Sequence, residues 1–200
     1  ELAGGARIAE LAIVERLDFS SGGSYSIYNW ELFFHAPLLI ATQLSKNQRF
    51  AEAQQWFHRI FDPTGAAGGR VPQCFWRTRP FFDQADPDQE KQTILQLRYG
   101  WIGSDFENAV QQWEVDPFNP HLIARLRLGA YQRSVVMKYI DNLLAWGDQL
   151  FRQDTLESIN EATQLYILAG DILGQRPSRI PPRGGPKTMT FAALENDAGL

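Results

Sequence analysis

The chain has 200 residues, a formal net charge of −4 and a hydrophobic fraction of 44%. These values are typical of one globular domain with a core of its own. Nucleic-acid binding is not expected, because an acidic chain offers no basic field to attract phosphates. The single cysteine, Cys74, excludes an intrachain disulfide. No apolar run approaches the ~20 residues of a membrane span, so this segment is not expected to cross a membrane itself.

Composition divides the chain into four regions. We predict an extended N-terminal segment at 1–27, a helical domain at 28–174, a linker rich in proline and arginine at 175–188, and the start of a following element at 189–200. The chain begins at Glu1 without a secretion leader, which predicts a fragment of a longer product.

An aromatic-rich helix is predicted from Trp30 to Leu44, and its wide apolar surface needs a packing partner. Pro37 lies inside this helix and predicts a kink or a restart, because proline lacks the backbone N–H. A second helix is expected from Arg49 to Phe61. The two helices should form a hairpin with a short polar connection.

The next region, Thr64 to Asp86, is rich in glycine and proline and predicts a long ordered loop. Aromatic residues should pin this loop, namely Phe75, Trp76, Phe81 and Phe82. Two helices should follow, Pro87 to Arg98 and Ser104 to Val115. Ser104 and Glu107 form a capping box at the start of the second.

Two longer helices complete the predicted fold. Asn119 as a cap and Pro120 at the first helical position predict a helix that runs to Phe151 and spans about 50 Å. A last helix should run from Thr155 to Leu173 and end at Gly174. The fold class is therefore mainly α, a helical bundle or shell-like segment with a long aromatic-pinned loop and a disordered Pro-rich tail.

The sequence contains no phosphate-binding, dinucleotide-binding, serine-hydrolase or zinc-protease motif, so we predict a non-enzymatic protein without a cofactor or metal. Four acidic residues near one predicted helix start lack the spacing of a calcium loop and are interpreted as a solvated surface. They are Asp83, Asp86, Asp88 and Glu90. Cys74 is interpreted as structural, because the sequence places no activating group beside it.

Two histidines, His35 and His58, lie beside aromatic residues on predicted helices. We interpret both as core or interface residues. The sharper alternative is pH sensing, since a buried histidine that becomes charged can loosen an interface. The third histidine, His121, has no metal-binding spacing to either. The residues expected to carry packing are Trp30, Phe33, Phe34, Trp56, Phe57 and Trp146.

Several segments resemble the A subunit of bacterial insecticidal toxin complexes (Tc toxins). In chain order they are Tyr28–His35, Trp56–Thr64, Cys74–Trp76, Asp116–Arg125, Val136–Asn142, Trp146–Asp148 and Asp154–Tyr166. The resemblance covers roughly residues 25–194. Long aromatic-rich segments of this kind are more specific than a short catalytic motif.

The resemblance implies a secreted homopentamer with a helical shell around a central channel. In that family the shell binds a host-cell receptor or glycan and opens at a pH shift. The channel then enters the membrane and passes a toxic enzyme from the B–C component. The region matched here would lie late in the shell. The linker to the channel would begin in the Pro-rich tail, at Arg176, Pro177, Pro181, Pro182 and Pro186.

Two alternatives remain open. The chain could be a stand-alone helical adaptor that binds another protein through the loop from Phe75 to Phe82. It could also be a carbohydrate hydrolase, which needs two carboxyl groups about 5–9.5 Å apart in a cleft. The candidates for that pair are Asp62, Asp83, Asp105 and Asp116.

Overall fold

The computed structural model describes residues 17–20, 23–66, 68–83, 111–118, 121, 124–175 and 190. These parts of the chain are mainly helical and contain no β-strand, which confirms the predicted fold class. The predicted helix Pro87–Arg98, the capping box at Ser104, residues 1–16 and the linker at 176–188 lie outside the described residues. Residues 111–115 are helical, as expected for the end of the helix predicted to finish at Val115.

The first helix is continuous from Ser26 to Lys46 but changes its winding in the middle. It consists of α1 (Ser26–Trp30), a π-helical turn (Glu31–His35) and α2 (Ala36–Lys46). The helix therefore begins inside the segment that was predicted to be extended up to residue 27, and four residues before the predicted start. It ends at a polar turn, where Gln48 has a positive φ of 61°.

Pro37 accounts for the π-helical turn that precedes it. A proline in a helix clashes with the carbonyl four residues earlier, here that of Phe33, and cannot donate to it. The wider π turn moves this carbonyl away from the proline ring. Thr78 Oγ1 then donates a hydrogen bond of 3.2 Å to the Phe33 carbonyl oxygen. The predicted irregularity at Pro37 thus lies in the preceding turn.

The second helix, α3 (Phe50–Phe57), packs antiparallel to α2 and forms the predicted hairpin. The chain then turns back, and an isolated β-bridge joins Phe61 to Trp76. The loop between them includes a 3₁₀ turn (Gln73–Phe75) and is followed by the short helix α4 (Arg79–Asp83). The predicted loop is therefore ordered by its own helical turns as well as by its aromatic residues.

The predicted 50 Å helix is interrupted. A 3₁₀ turn (Arg125–Arg127) precedes α5 (Leu128–Phe151), and Arg127 leaves the helical region with φ −126° and ψ 65°. The 24 residues of α5 span about 36 Å.

The last helix, α6 (Leu156–Leu173), was predicted correctly together with its ends. Thr155 caps it, since its side chain accepts from the Ser158 backbone N–H at 3.1 Å and Ser158 Oγ reciprocates. Gly174 ends it with a positive φ of 71°. The helices α5 and α6 form a second hairpin, whose α5 packs on α2, α3 and α4.

One hydrophobic core joins the two hairpins. Its largest members come from the aromatic-rich first half and from α5, and are Trp30, Phe34, Phe57, Phe61, Trp76, Phe81, Tyr139 and Leu143. Within the part of the chain that the structure describes, no helix is both long enough and apolar enough to cross a membrane.

Candidate functional site at the histidine pair

Two histidines that are far apart in the sequence meet at the edge of the core. His35 ends the π-helical turn, and His121 lies before the 3₁₀ turn that leads into α5. Their ring centroids are 4.3 Å apart, with 55° between the ring planes. The Tyr131 hydroxyl lies 2.6 Å from His121 Nδ1, so this tyrosine holds the His121 ring in place.

Aromatic rings surround the pair on the core side. The Phe34 ring lies 4.7 Å from the His35 ring, and the Trp30 ring lies 6.3 Å from it. Arg125 places its guanidinium 5.0 Å from the Trp30 ring centroid, within the range of a cation–π interaction. Among the described atoms, His35 Nε2 and Arg125 Nε are buried without a hydrogen-bond partner.

This environment favours the neutral form of His35. Burial, followed by the nearby His121, lowers the pKa of His35 from 6.5 to about 4, and Arg125 acts in the same direction. Glu31 opposes this shift, but more weakly than burial and His121 do. Burial also lowers the pKa of Arg125 and raises that of Tyr131. At neutral pH the pair is therefore packed without a charge on His35.

The chemistry available at this site is protonation. A proton on His35 would place a positive charge beside His121 and Arg125, where burial and like charges both oppose it. Protonation would therefore weaken the contact between the π-helical turn and the segment that leads into α5. This geometry is compatible with the pH-sensing alternative for His35, and with a neutral core histidine at higher pH.

His58 belongs to a separate hydrogen-bonded cluster with Gln54 and with Tyr139 of α5. The Tyr139 hydroxyl accepts from Gln54 Nε2 at 3.0 Å and lies 3.1 Å from His58 Nε2. Burial lowers the pKa of His58, while Asp62 opposes the shift. A neutral His58 can accept the hydroxyl hydrogen of Tyr139, so this cluster also favours the uncharged ring.

Asp62 forms an ion pair with Arg77 beside the β-bridge between Phe61 and Trp76. Its carboxylate accepts from Arg77 Nη2 at 2.6 Å and from Thr64 Oγ1 at 2.6 Å. Burial alone would raise the pKa of Asp62, but the hydrogen bonds from Thr64 and Arg77 lower it to about 2. Such a carboxylate stays ionised and cannot act as the general acid that the hydrolase alternative requires.

The predicted packing residues do not all lie in the core. Trp30, Phe34 and Phe57 are at most 2% exposed. Trp56 and Trp146 are partly buried. Phe33 is 37% exposed and touches Phe19 at the surface, at 6.3 Å between centroids, so it is not a core residue. The π-helical turn shifts the side chains around Phe33 relative to their positions in a regular α-helix. The sequence pattern alone did not reveal this shift.

The aromatic residues of the loop considered as an adaptor surface lie against the core. Trp76 and Phe81 are buried, and Phe75 and Phe82 are partly buried against the core. Cys74 is buried as well, as expected of a structural cysteine. Among the described residues, no group of histidine, cysteine and acidic side chains could hold a metal ion. Of the four acids considered for a calcium loop, Asp83 alone is described, and it pairs with Arg79 at 2.9 Å.

Sequence reasoning missed His121, Arg125 and Tyr131 as members of a site. They lie about 90 residues after His35, and no local spacing predicts that contact. The one available signal was that His121 and Tyr131 are polar-aromatic residues near the start of an otherwise apolar helix.

Comparison with known proteins connects this architecture to toxins. No family model matches the chain. It is 24% identical over 185 residues to the toxin subunit YenA2 of Yersinia entomophaga, and the match covers 89% of this chain. A cryo-EM structure of Morganella morganii TcdA4 superposes with a TM-score of 0.57 and 29% identity, over 91% of this chain. The chain is related to Tc toxin A subunits.

The relation to Tc toxin A subunits confirms the resemblance found in the sequence. The chain is much shorter than these relatives, since it spans 12% of the length of YenA2 and 6% of that of TcdA4. The chain therefore corresponds to a small part of each of these two proteins.

Proposed function

We propose that this chain is a structural, non-enzymatic part of a pore-forming A subunit that translocates a toxin. It would pack the helical shell and lead into the linker between shell and channel. The observation that carries the proposal is the similarity to YenA2 and TcdA4 along almost the whole chain, on a described structure that is mainly helical.

The packing supports a mechanical role. The aromatic core of the first hairpin and the close contact of α5 with α6 give a rigid body. The predicted linker at 175–188 starts directly after Gly174, where α6 ends. A rigid body followed by a proline-rich segment suits a part that holds position while its neighbour extends or contracts.

The wider assembly is proposed on the same basis. We place the chain in a secreted homopentamer that carries a B–C component, binds a receptor or glycan on the host cell, and enters the membrane through its channel and not through this segment. The acidic net charge of −4 supports the absence of a nucleic-acid partner.

The first experiment is to read the gene around this segment. A frame that continues for many hundreds of codons would support the A-subunit proposal, whereas a start and a stop codon at the two ends of the chain would contradict it. The complete product should then be purified, and the mass of its particles should be measured by mass photometry. Five copies per particle, with dye release from liposomes after a pH shift, is the expected result. A monomer without membrane activity would overturn the proposal.

The non-enzymatic part needs its own test. The purified protein should release no reducing sugar from a panel of oligosaccharides. Release that survives further purification and disappears in Asp83→Asn would revive the hydrolase alternative. Asp83 is the useful position because it is exposed at the surface, so its replacement leaves the core intact.

A further inference from the structure

Two polar side chains of α5 are fully buried where this helix packs on α3. Tyr139 and Asn142 are both 0% exposed, and they lie three residues apart on the side of α5 that meets the first hairpin. Val135 and Leu143 of the same helix are buried as well. A contact between two helices inside a core normally uses apolar residues, so the two polar side chains call for an explanation.

Both residues form hydrogen bonds to one row of groups along α3. The Tyr139 hydroxyl accepts from Gln54 Nε2 at 3.0 Å and lies 3.1 Å from Nε2 of His58, which directly follows α3. Asn142 Nδ2 donates to the Phe50 carbonyl oxygen at 3.3 Å. Positions 50, 54 and 58 are four residues apart and therefore lie on one side of the helix. We define these five residues as the polar seam.

The polar seam is directional, whereas the apolar contacts around it are not. Apolar contact stabilises α5 on α3 roughly in proportion to the buried area, whatever the exact pairing of side chains. A slip of α5 by one turn, about 5.4 Å, would keep apolar contact but would separate the Tyr139 hydroxyl and the Asn142 amide from their partners. Buried polar groups without partners are costly, so the seam disfavours the slipped arrangement.

Asn142 indicates that the seam contributes placement more than stability. Its Oδ1 atom is buried and, among the described atoms, has no hydrogen-bond partner. A leucine in this place would fill a similar space and leave no oxygen unpaired. A single buried asparagine between apolar residues can fix the register of packed helices at a cost in stability.

The register of α5 also determines where α6 lies, because α6 packs mainly on α5 and ends at Gly174. We propose that the polar seam holds α5 at one register on α3 and thereby fixes the position of α6 and the point at which the chain leaves it. Gln54, His58, Tyr139 and Asn142 are then positioning residues. The seam acts within this chain, so its role does not depend on the proposed function.

The test replaces the seam with apolar side chains. The fourfold variant carries Gln54→Leu, His58→Phe, Tyr139→Phe and Asn142→Leu. Both sides of each side-chain contact are then apolar, so the chain should remain folded with a similar or higher unfolding midpoint. The matched control, Leu143→Met, changes a buried apolar residue of α5 and keeps the polar seam intact.

Nitroxide labels measure the position of α6 relative to α3 by pulsed electron paramagnetic resonance. One label is placed at Gln55→Cys on α3 and the other at Glu161→Cys or Asp171→Cys on α6, all of which are exposed positions. The two α6 positions are about 15 Å apart along the helix, so a shift along its axis changes at least one of the two distances. The native Cys74 is buried and gives little labelling background.

The unmodified chain and Leu143→Met should each give one narrow distance distribution for both label pairs. In the fourfold variant at least one distribution should broaden or split, with shifts of up to about 5 Å. Narrow distributions at the native distances in that variant would overturn the proposal, and so would equal broadening in Leu143→Met. If the fourfold variant does not fold, the same criteria apply to Asn142→Leu alone, because the Phe50 carbonyl can still accept within its own helix.

Discussion

The body formed by α1 to α4 is packed with large aromatic rings, whereas the hairpin of α5 and α6 also buries small residues. In the body, Phe34 and Phe81 meet edge to face at 4.9 Å, and Trp30 lies 5.9 Å from Phe34. In the hairpin, Ala162 and Ala169 are at most 1% exposed. Removing atoms should therefore damage the body most, and adding atoms should damage the hairpin most.

The close approach inside the hairpin depends on one glycine. A Cβ atom at Gly147 would lie 2.7 Å from the Tyr166 ring, so the ring occupies the space that a side chain would need. By contrast, nothing lies within 4 Å of a Cβ at Gly170. The hairpin thus has one position that requires glycine for space and another that does not.

The largest effect is expected in the aromatic body. Trp30→Ala should lower the free energy of unfolding by about 3–5 kcal/mol, because the ring is 2% exposed and its loss leaves a cavity. Denaturant titration of the chain measures this. Tyr28→Ala is the control, since Tyr28 is 70% exposed and its loss should cost about 0.5 kcal/mol or less. A loss below 1 kcal/mol for Trp30→Ala would show that the ring does not support the core.

The next effect is the pH dependence of the body. Unfolded His35 has its ordinary pKa of 6.5, whereas in the fold the pKa is about 4. Between these values the unfolded chain binds more protons, so stability should fall as pH decreases from about 6.5 to about 4. The loss should be at most about 3 kcal/mol, and less in practice because the ring is only partly buried.

His35→Phe should flatten this pH dependence while keeping an aromatic ring in place. His58→Phe is the comparison variant within the body, because burial lowers the pKa of His58 as well. It measures how much of the pH dependence comes from this second histidine. Urea titrations at several pH values between 4 and 7 provide the measurement. A slope that is unchanged in His35→Phe would show that the histidine pair does not control the acid sensitivity of the fold.

The hairpin should respond to added volume. Gly147→Val is expected to destabilise the chain by about 1–3 kcal/mol, since the new side chain meets the Tyr166 ring. Gly170→Ala should instead stabilise it by up to about 1 kcal/mol, because alanine favours helix and no atom opposes its Cβ. Thermal melts of the two variants compare them directly. If both shifted the melting temperature in the same direction, packing at Gly147 would not be the cause.

The smallest effect concerns the start of α6. Thr155→Ala removes the side chain that caps this helix and should cost about 1 kcal/mol. Thr155→Ser keeps the hydroxyl and should cost much less, so the pair separates capping from packing. Chemical denaturation with both variants is sufficient. Equal losses in the two variants would attribute the effect to the lost methyl group.

Local sequence determined the ends of several helices. The hydroxyl of Thr155 and the glycine at 174 specify where α6 starts and stops, because both act on the backbone of their own helix. The polar turn near Gln48 separates α2 from α3 for the same reason. The long aromatic-rich segments also indicated the Tc toxin relation, since such runs are too specific to recur by chance.

Only the tertiary structure decided the contacts between distant segments. Pro37 indicated an irregularity in the helix. The hydrogen bond to the Phe33 carbonyl, however, comes from Thr78, which lies 45 positions away in the sequence. The π-helical turn then exposes Phe33 and directs Phe34 inward. Likewise, the pairing of His35 with His121 joins two residues that are 86 positions apart in the sequence. Periodicity describes one helix at a time, whereas packing between helices fixes which residues share an environment.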